Sequence, residues 1–345
     1  MLSTSPYSIL ATLGPRSMTG SIISQMDEAG VSLFRINLSH TDVKDLKSTI
    51  ETIRVHSQVP ICIDSEGAQI RTRYLIGGKL ELVEGTQIRL NFDEHPGDQN
   101  NLTLHPKNIA SQFLLGDLID IDFHGACLRV EEVGADSLSA RIEQGGIIGE
   151  NKAVSVNRTI NLPFATEKDF EAIAIGREMG IEHFALSFAN RVEDVEQFRD
   201  LIGEKAYLIS KIESILGLKN LTAIADQTDA ILIDRGDLSR EVDLEKIPFV
   251  QRRIIASVRS RNKPVFVATN LLESMIEWHA PTRAEVNDVV STLEMGANGL
   301  VLAAETAIGN HPLQAVKTIR QLIDHFESWT PNSTIDELLG INNTR

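Results

Sequence analysis

Segments with the hydrophobic pattern of buried strands alternate with segments of helical period along most of the chain. The run Ser8–Leu13 is typical of a strand, and Met18–Ala29 has the spacing of a helix. The order then repeats up to Pro312–Glu327. Within Arg283–Gly296, apolar residues recur at i, i+3, i+4 and i+7. Continuous apolar strands suit a parallel sheet that is buried on both faces.

Eight strand-helix units predict a (β/α)8 TIM barrel of the α/β class. A doubly wound open sheet is the alternative, but no GxGxxG motif follows the first strand. The predicted strands are Ser8–Leu13, Val31–Leu38, Pro60–Asp64, Glu182–Phe188, Ala206–Ile212, Ala230–Ile233, Pro264–Ala268 and Gly299–Ala303. The predicted helices are Met18–Ala29, Asp42–His56, Glu167–Met179, Val192–Gly203, Leu218–Asp226, Ile247–Arg261, Arg283–Gly296 and Pro312–Glu327.

The alternation stops after the third strand, where the sequence becomes rich in glycine and in short β-like runs. These runs are Leu80–Val83, Gln87–Leu90, Leu118–Phe123, Ala126–Val130 and Leu138–Ile142. They predict a small all-β domain inserted after strand three. The sequence therefore divides into a first barrel segment at 1–72, the inserted domain at 73–158, a second barrel segment at 159–330 and a polar tail at 331–345.

Composition narrows the class of protein. The formal net charge of −15 disfavours binding to nucleic acid or to an anionic membrane. The two cysteines, Cys62 and Cys127, form no CxxC pair, which argues against a disulfide framework or a structural zinc site. No stretch approaches the length of a membrane span, and no signal peptide precedes the first strand, so a cytoplasmic protein is expected.

Charged residues follow the fifth and sixth predicted strands, at the end of a barrel where active sites lie. Lys211 and Glu213 are two positions apart and therefore leave one face of strand five. Asp237 follows strand six beside Gly236, whose missing side chain permits a close approach of backbone to ligand. Two carboxylates from neighbouring strands suit Mg²⁺. A structural ion pair and a turn with a capping Asp remain open as alternatives.

Polar residues also follow strands two, three and seven. Arg35, Asn37 and Ser39 alternate onto one face of strand two, and strand three ends in Asp64 and Ser65. They offer a guanidinium suited to phosphate and several oxygen ligands. Strand seven adds the hydroxyl of Thr269. Any half-buried strand shows such alternation, but this many oxygen-bearing side chains on neighbouring strands favours a site.

Taken together, these residues resemble the pyruvate kinase family over nearly the whole chain. The resemblance rests on an ordered series of motifs rather than on one. In chain order the motifs are Thr12-Leu13-Gly14-Pro15-Arg16-Ser17, Arg35-Ile36-Asn37-Leu38-Ser39-His40, Asp64-Ser65-Glu66-Gly67, Ser210-Lys211-Ile212-Glu213, Arg235-Gly236-Asp237-Leu238, Ala268-Thr269-Asn270-Leu271-Leu272-Glu273-Ser274-Met275, Pro281-Thr282-Arg283-Ala284-Glu285-Val286 and Glu305-Thr306-Ala307-Ile308-Gly309.

The resemblance implies a glycolytic phosphotransferase that converts phosphoenolpyruvate and ADP to pyruvate and ATP. It implies a site for Mg²⁺ (or Mn²⁺) at Glu213 and Asp237, and a site for K⁺ at Asn37, Ser39, Asp64 and Ser65. It assigns substrate binding to Arg35, Lys211, Gly236, Asp237 and Thr269, of which Lys211, Arg35 and Thr269 are also catalytic. It assigns nucleotide binding to Asn37, His40, Arg71 and Lys152. A homo-oligomer is also expected.

The sequence departs from the family pattern at the mouth of the barrel. Asp234 stands where the family has a small residue, and Gln69 stands where an acidic residue accompanies potassium dependence. The chain stops after the eighth helix, so effector binding through a C-terminal domain is not expected. Two alternatives therefore stay open: a Mg²⁺-dependent aldolase or lyase of 2-oxo acid enolate chemistry, and a non-catalytic homologue that binds a metabolite.

Overall fold

The structure is a computed structural model that describes residues 5–122 and 125–340. The chain divides into two compact units. One unit is drawn from residues 1–67 and 165–345, and the other comprises residues 68–164.

The first unit contains a closed barrel of eight parallel strands, each paired with its neighbours in chain order. This arrangement confirms the predicted TIM barrel and excludes the open doubly wound sheet. The strands are Ser8–Thr12, Leu33–Asn37, Ile61–Asp64, His183–Leu186, Tyr207–Ile212, Ala230–Asp234, Val265–Ala268 and Gly299–Leu302. We call them barrel strands one to eight.

Helices follow the strands as the sequence predicted, with shorter bounds at most ends. They are Gly20–Glu28, Val43–His56, Glu167–Glu178, Val192–Ile202, Ile215–Lys219, Leu221–Gln227, Arg235–Leu238, Ile247–Arg259, Arg283–Glu294, Ala304–Ala307, Pro312–Ser328 and Ile335–Leu339. The single helix predicted at Leu218–Asp226 is wrong, because Ser214 caps a helix that begins earlier and Asn220 separates it from the next one. The exposed helix Ile335–Leu339 lies in the range predicted as a polar tail, of which residues 341–345 lie outside the described residues.

The interior of the barrel changes from apolar to polar along the strands. Its apolar core consists of Leu10, Leu33, Cys62, Ala185, Ile209, Ala230, Leu232, Phe266, Ala268 and Val301. Successive side chains of a strand point to opposite faces, so the residue two positions further on shares the face of the first. By this rule the apolar core is followed, toward the carboxyl ends of the strands, by Thr12, Arg35, Asp64, Ser187, Lys211 and Asp234. The polar layer therefore lies on the inner face of the barrel, above its apolar core.

The second unit is built almost entirely of β-structure around its own apolar core. Its strands are Arg71–Thr72, Lys79–Leu82, Gln87–Asn91, Asn101–His105, Leu118–Ile121, Ala126–Val133, Ser137–Gln144, Gly146–Gly149 and Val154–Val156, in a seven-stranded and a two-stranded sheet. Four of them were not predicted. Arg71–Thr72 is too short to show an alternation, whereas Asn101–His105 alternates polar and apolar residues and could have been identified. Phe123, at the end of a predicted strand, lies outside the described residues.

This unit begins earlier and ends later than the predicted limits of 73 and 158. Arg71 and Thr72 pair with His105 and Leu104, which places them in its sheet. Ile160 and Leu162 pack against its core.

No helix among the described residues is long and apolar enough to cross a membrane.

A buried carboxylate, Asp169, binds both ends of the barrel chain where the second unit is inserted. It accepts hydrogen bonds from the backbone N–H groups of Glu66 at 2.6 Å and Gly67 at 3.1 Å. It also accepts from the backbone N–H and the hydroxyl of Thr166, each at 2.9 Å. Thr166 in turn caps the helix that starts at Glu167, as predicted. The side chain of Asp169 thus fixes both the segment at Glu66–Gly67, which leaves the barrel unit, and the segment at Thr166, which returns to it.

Replacing Asp169 by Ala is expected to lower the free energy of unfolding by about 2–4 kcal/mol, because a lost cap and several unpaired N–H groups each cost about 1 kcal/mol or more. The measurement is urea unfolding followed by circular dichroism. Glu167→Ala, an exposed acid in the same turn, is the matched control and should change little. Equal stability of the two variants would show that Asp169 does not anchor these segments.

Candidate active site

The carboxylate of Asp64, at the end of barrel strand three, is fully buried and lies between two cations. It accepts a hydrogen bond from Nε of Arg35 at 2.7 Å, and a second guanidinium nitrogen of Arg35 also contacts it. Nζ of Lys211 lies 3.3 Å from the same oxygen, Oδ2. Arg35 also donates to the hydroxyl of Thr12 at 2.9 Å. The two cations are held in fixed positions at the mouth, where buried charges need partners.

Lys211 lies at the centre of a wider polar network. Its ammonium contacts Oε1 of Glu213 at 2.9 Å and Oδ2 of Asp234 at 3.7 Å, and it donates to the hydroxyl of Ser187 at 3.1 Å. The predicted pairing of Lys211 with Glu213 on one face of strand five is therefore present. Burial by itself lowers the pKa of Lys211, but the charges of Asp64 and Glu213 raise it above its ordinary value. Lys211 therefore stays protonated and is a fixed positive charge.

Arg35 is likewise kept charged. Burial lowers the pKa of its guanidinium, but Asp64 and Asp234 raise it further than burial lowers it. Both cations consequently present permanent positive charge in a partly desolvated mouth, where charge interactions are stronger than in water.

Glu213 has one oxygen engaged and one without a hydrogen bond. Oε2 accepts from the backbone N–H of Phe188 at 2.6 Å, and Phe188 adopts a φ of 52°. Oε1 is buried and has no hydrogen-bond partner among the described residues, although the Lys211 ammonium lies near it. Burial is the main reason that the pKa of Glu213 is raised to about 8; Lys211 opposes this rise, and Asp237 and Asp234 add to it. A buried acid with an unpartnered oxygen is the arrangement that a bound cation would satisfy.

Thr269, after barrel strand seven, has a strained backbone. Its φ is 74°, a value that a β-branched residue rarely adopts and that costs roughly 1–3 kcal/mol. Arg235 stabilises this conformation by donating two hydrogen bonds to the carbonyl oxygen of Thr269, at 3.0 and 2.7 Å. Asp288 holds the same guanidinium at 2.7 Å. The Thr269 hydroxyl donates to Oδ1 of Asp234 at 2.6 Å.

Gly236 is required where the chain passes Thr269. A side-chain carbon at position 236 would lie 2.8 Å from the methyl carbon of Thr269, well inside van der Waals contact. A larger residue would displace Thr269 or open the turn. Gly236 therefore has a steric role within the protein, and its close approach to a ligand stays a prediction.

Three acids meet at this point of the mouth. Ligand oxygens of Glu213, Asp234 and Asp237 lie within 4.8 Å of one another. Glu213 and Asp237 were predicted as a pair, whereas Asp234 was noted only as a departure. Hard carboxylate oxygens fit Mg²⁺ or Mn²⁺, and the unpartnered Oε1 of Glu213 is consistent with such an ion. Asp234 stays ionised, because its pKa is lowered by Lys211, Thr269 and Arg35 despite its burial.

The residues predicted for a monovalent cation share strands two and three. Asn37 pairs in register with Asp64, and its side-chain oxygen accepts from the backbone N–H of Ser39 at 3.0 Å. The hydroxyl oxygen of Ser65 accepts from the backbone N–H of Ser187 at 2.9 Å. The Asp64 carboxylate is occupied by Arg35 and Lys211, as described above. The side-chain oxygens of Asn37, Asp64 and Ser65 thus already have partners within the protein.

The predicted nucleotide residues are divided between the two units. Asn37 and His40 belong to the barrel unit, and His40 is exposed. Arg71 and Lys152 belong to the inserted unit, where the Lys152 carbonyl accepts from the N–H of Thr72 at 2.9 Å. The ammonium of Lys152 pairs with Asp122 at 3.0 Å.

Comparison with known proteins decides the family. The family model described as pyruvate kinase, barrel domain, matches residues 5–316. The chain belongs to the pyruvate kinase family. A pyruvate kinase of Mycobacterium tuberculosis is 35% identical over 324 residues, which is 91% of this chain and 69% of the relative. That of Methylorubrum extorquens is 37% identical over 92% of this chain and 68% of its own length. That of Thermotoga maritima is 36% identical over 92% and 70% respectively.

Membership of the pyruvate kinase family confirms the resemblance seen in the sequence and favours a phosphotransferase over the aldolase and non-catalytic alternatives.

Sequence reasoning missed several neighbours of the site. Thr12 and Ser187 lie two positions after the inward-facing Leu10 and Ala185, so alternation could have identified them. The support of Thr269 by Arg235 left no such signal, because it links two strand ends through a backbone carbonyl.

The raised pKa of Glu213 predicts a pH dependence of metal binding. Below a pKa of about 8 the carboxyl group carries a proton that the cation must displace. The affinity of the metal-free protein for Mn²⁺ should therefore rise with pH, by up to about tenfold per pH unit, and level off above this pKa. Electron paramagnetic resonance of free Mn²⁺ measures it; an affinity that is constant between pH 6 and pH 8 would contradict the assignment.

Proposed function

We propose that this protein transfers the phosphoryl group of phosphoenolpyruvate to ADP, giving pyruvate and ATP. The observation that carries the proposal is the pair of permanently charged cations, Arg35 and Lys211, that Asp64 holds at the mouth of the barrel. Phosphoryl transfer requires mainly positioning and neutralisation of spread negative charge. Two fixed cations beside a cluster of carboxylates supply both.

Arg35 and Lys211 are proposed to bind the phosphoryl group and to stabilise its charge during transfer. Their geometry is set before substrate arrives, so little reorganisation accompanies the reaction. Asp64 is the positioning residue for both, because it contacts each cation directly. Arg35 suits a phosphoryl oxygen pair through its planar guanidinium, and Lys211 acts as a point charge.

The substrate carboxylate is proposed to bind at the turn formed by Gly236 and Asp237, close to the hydroxyl of Thr269. The missing side chain of Gly236 lets this turn pack directly against Thr269. Thr269 can also pass a proton, because its hydroxyl both donates and accepts; here it donates to Asp234. It is therefore the proposed route by which the enolate of pyruvate is protonated.

Glu213 and Asp237 are proposed to hold Mg²⁺ (or Mn²⁺). A divalent ion there would polarise the substrate oxygens and neutralise part of the developing charge. Asn37, Ser39, Asp64 and Ser65 are proposed for K⁺, with oxygen ligands from two neighbouring strands. His40 with Asn37 in the barrel unit, and Arg71 with Lys152 in the inserted unit, are proposed contacts of the nucleotide.

A cytoplasmic location and a homo-oligomer also remain predictions. The acidic net charge of −15 supports small-molecule substrates rather than nucleic acid or a membrane surface as partners.

Purified protein with phosphoenolpyruvate, ADP, Mg²⁺ and K⁺ should form pyruvate at a rate on the order of 1–10³ s⁻¹. Lys211→Met should lower kcat by at least about 10²-fold, the scale of losing one preorganised charge-stabilising donor. Coupling pyruvate to lactate dehydrogenase measures both. Lys219→Met, an exposed lysine, is the control and should keep full activity. Absence of pyruvate in the unmodified protein, with Mg²⁺-dependent binding of oxalate retained, would favour enolate chemistry instead.

Potassium dependence is tested at constant ionic strength. Replacing K⁺ by tetramethylammonium should lower turnover if the oxygens of strands two and three bind a monovalent ion. Equal rates with either cation would contradict the K⁺ site and would show that the fixed cations suffice.

A further inference from the structure

Two of the three acids in the cluster, Glu213 and Asp234, are oriented by a hydrogen bond to one carboxylate oxygen. On Glu213, Oε2 is held by the N–H of Phe188, and Oε1 has no hydrogen bond among the described residues. On Asp234, Oδ1 is held by the hydroxyl of Thr269, and Oδ2 lies 3.7 Å from Nζ of Lys211, beyond hydrogen-bond distance. The backbone N–H of Asp237 also donates to the Asp234 carboxylate. Oε1 of Glu213 is therefore the buried oxygen of this cluster that lacks a hydrogen bond among the described residues.

The third acid, Asp237, lies nearer the surface. Its Oδ1 pairs with Arg240 at 3.1 Å. Because ligand oxygens of all three acids lie within 4.8 Å of one another, their carboxylates converge on one small volume. Asp234 ends barrel strand six and Asp237 lies in the short helix that follows, so neighbouring backbone fixes their separation.

Three buried acids, Asp64, Glu213 and Asp234, share two buried cations, Arg35 and Lys211. The ammonium of Lys211 is shared by Glu213, Asp234 and Asp64, while Asp237 pairs with Arg240. Glu213 and Asp234 are buried, and buried charges that exceed their counter-ions are costly. A divalent ion among the three oxygens would offset the excess and satisfy Oε1 of Glu213 at the same time.

We propose that Asp234 is a third carboxylate ligand of the divalent cation, so that the protein binds this ion before any substrate arrives. The inference deepens the proposed function, on which it rests only for the identity of the metal. A site with two acids would need substrate oxygens to complete it. The third acid raises the number of charged ligands, and affinity for hard cations increases with that number.

The test is direct binding of Mn²⁺ to the chelator-treated protein without substrate, by electron paramagnetic resonance or calorimetry. The unmodified chain should bind one ion at the cluster. Asp234→Asn, which keeps an oxygen for Thr269, should raise the Kd for Mn²⁺ at least about tenfold, the loss that even removal of an outer partner of a metal ligand causes. Asp226→Asn, an ion-paired aspartate outside the cluster, should leave the Kd unchanged.

A second variant separates ligation from charge. Asp234→Cys should shift preference from Mn²⁺ toward Cd²⁺, because a thiolate ligand selects soft ions. A Kd for Mn²⁺ that is unchanged in Asp234→Asn would overturn the proposal. So would a weakened Mn²⁺ affinity in Asp234→Asn without any Cd²⁺ preference in Asp234→Cys, since Asp234 would then act only through its charge.

These measurements do not depend on turnover. If the protein forms no pyruvate but Asp234→Asn loses Mn²⁺ and Asp234→Cys gains Cd²⁺, the proposed function fails and the third ligand stands. If pyruvate forms and both variants bind metals like the unmodified chain, the proposed function stands and Asp234 is not a ligand. Circular dichroism of each variant confirms that the barrel remains folded.

Discussion

The shared carboxylate of Asp64 is the interaction on which the barrel mouth depends. A guanidinium and an ammonium side by side repel each other, and burial strengthens that repulsion. Asp64 is buried and contacts both cations, so its negative charge offsets their repulsion and fixes their positions. The other site features, from the metal acids to the strained Thr269, are arranged around that group. Its loss would cost positioning as well as stability, because an unpaired buried charge is expensive.

Much of this architecture was predictable because strands have a period of two. Lys211 and Glu213 were expected on one face of strand five, and both point into the same network. The barrel followed from the alternation of strands and helices, since parallel strands buried on both faces allow few other closures. The polar layer follows from the same rule, because each polar residue lies two positions after an apolar one.

What could not be predicted depends on contacts between distant regions of the chain. The strained conformation of Thr269 is stabilised by the guanidinium of Arg235, which follows a different strand. Asp234 was interpreted as a departure from a family pattern, since no local signal shows that its second oxygen lies beside those of Glu213 and Asp237. In the inserted unit, strands such as Val154–Val156 exist only because a partner strand pairs with them. The local sequence pattern predicts which face of a strand a residue lies on. The conformation of a residue such as Thr269 depends instead on contacts with residues distant in the chain.

Asp169 anchors both ends of the barrel chain where the second unit is inserted, and this bears on how that unit can be altered during evolution. Gly67 and Thr166 both donate to one carboxylate, so their backbone nitrogens lie within two hydrogen-bond lengths of each other. Ends this close can be joined by a very short linker without opening the barrel. The intervening module can therefore be deleted, exchanged or lengthened by recombination, while the eight-stranded scaffold keeps its own closure and its own charges.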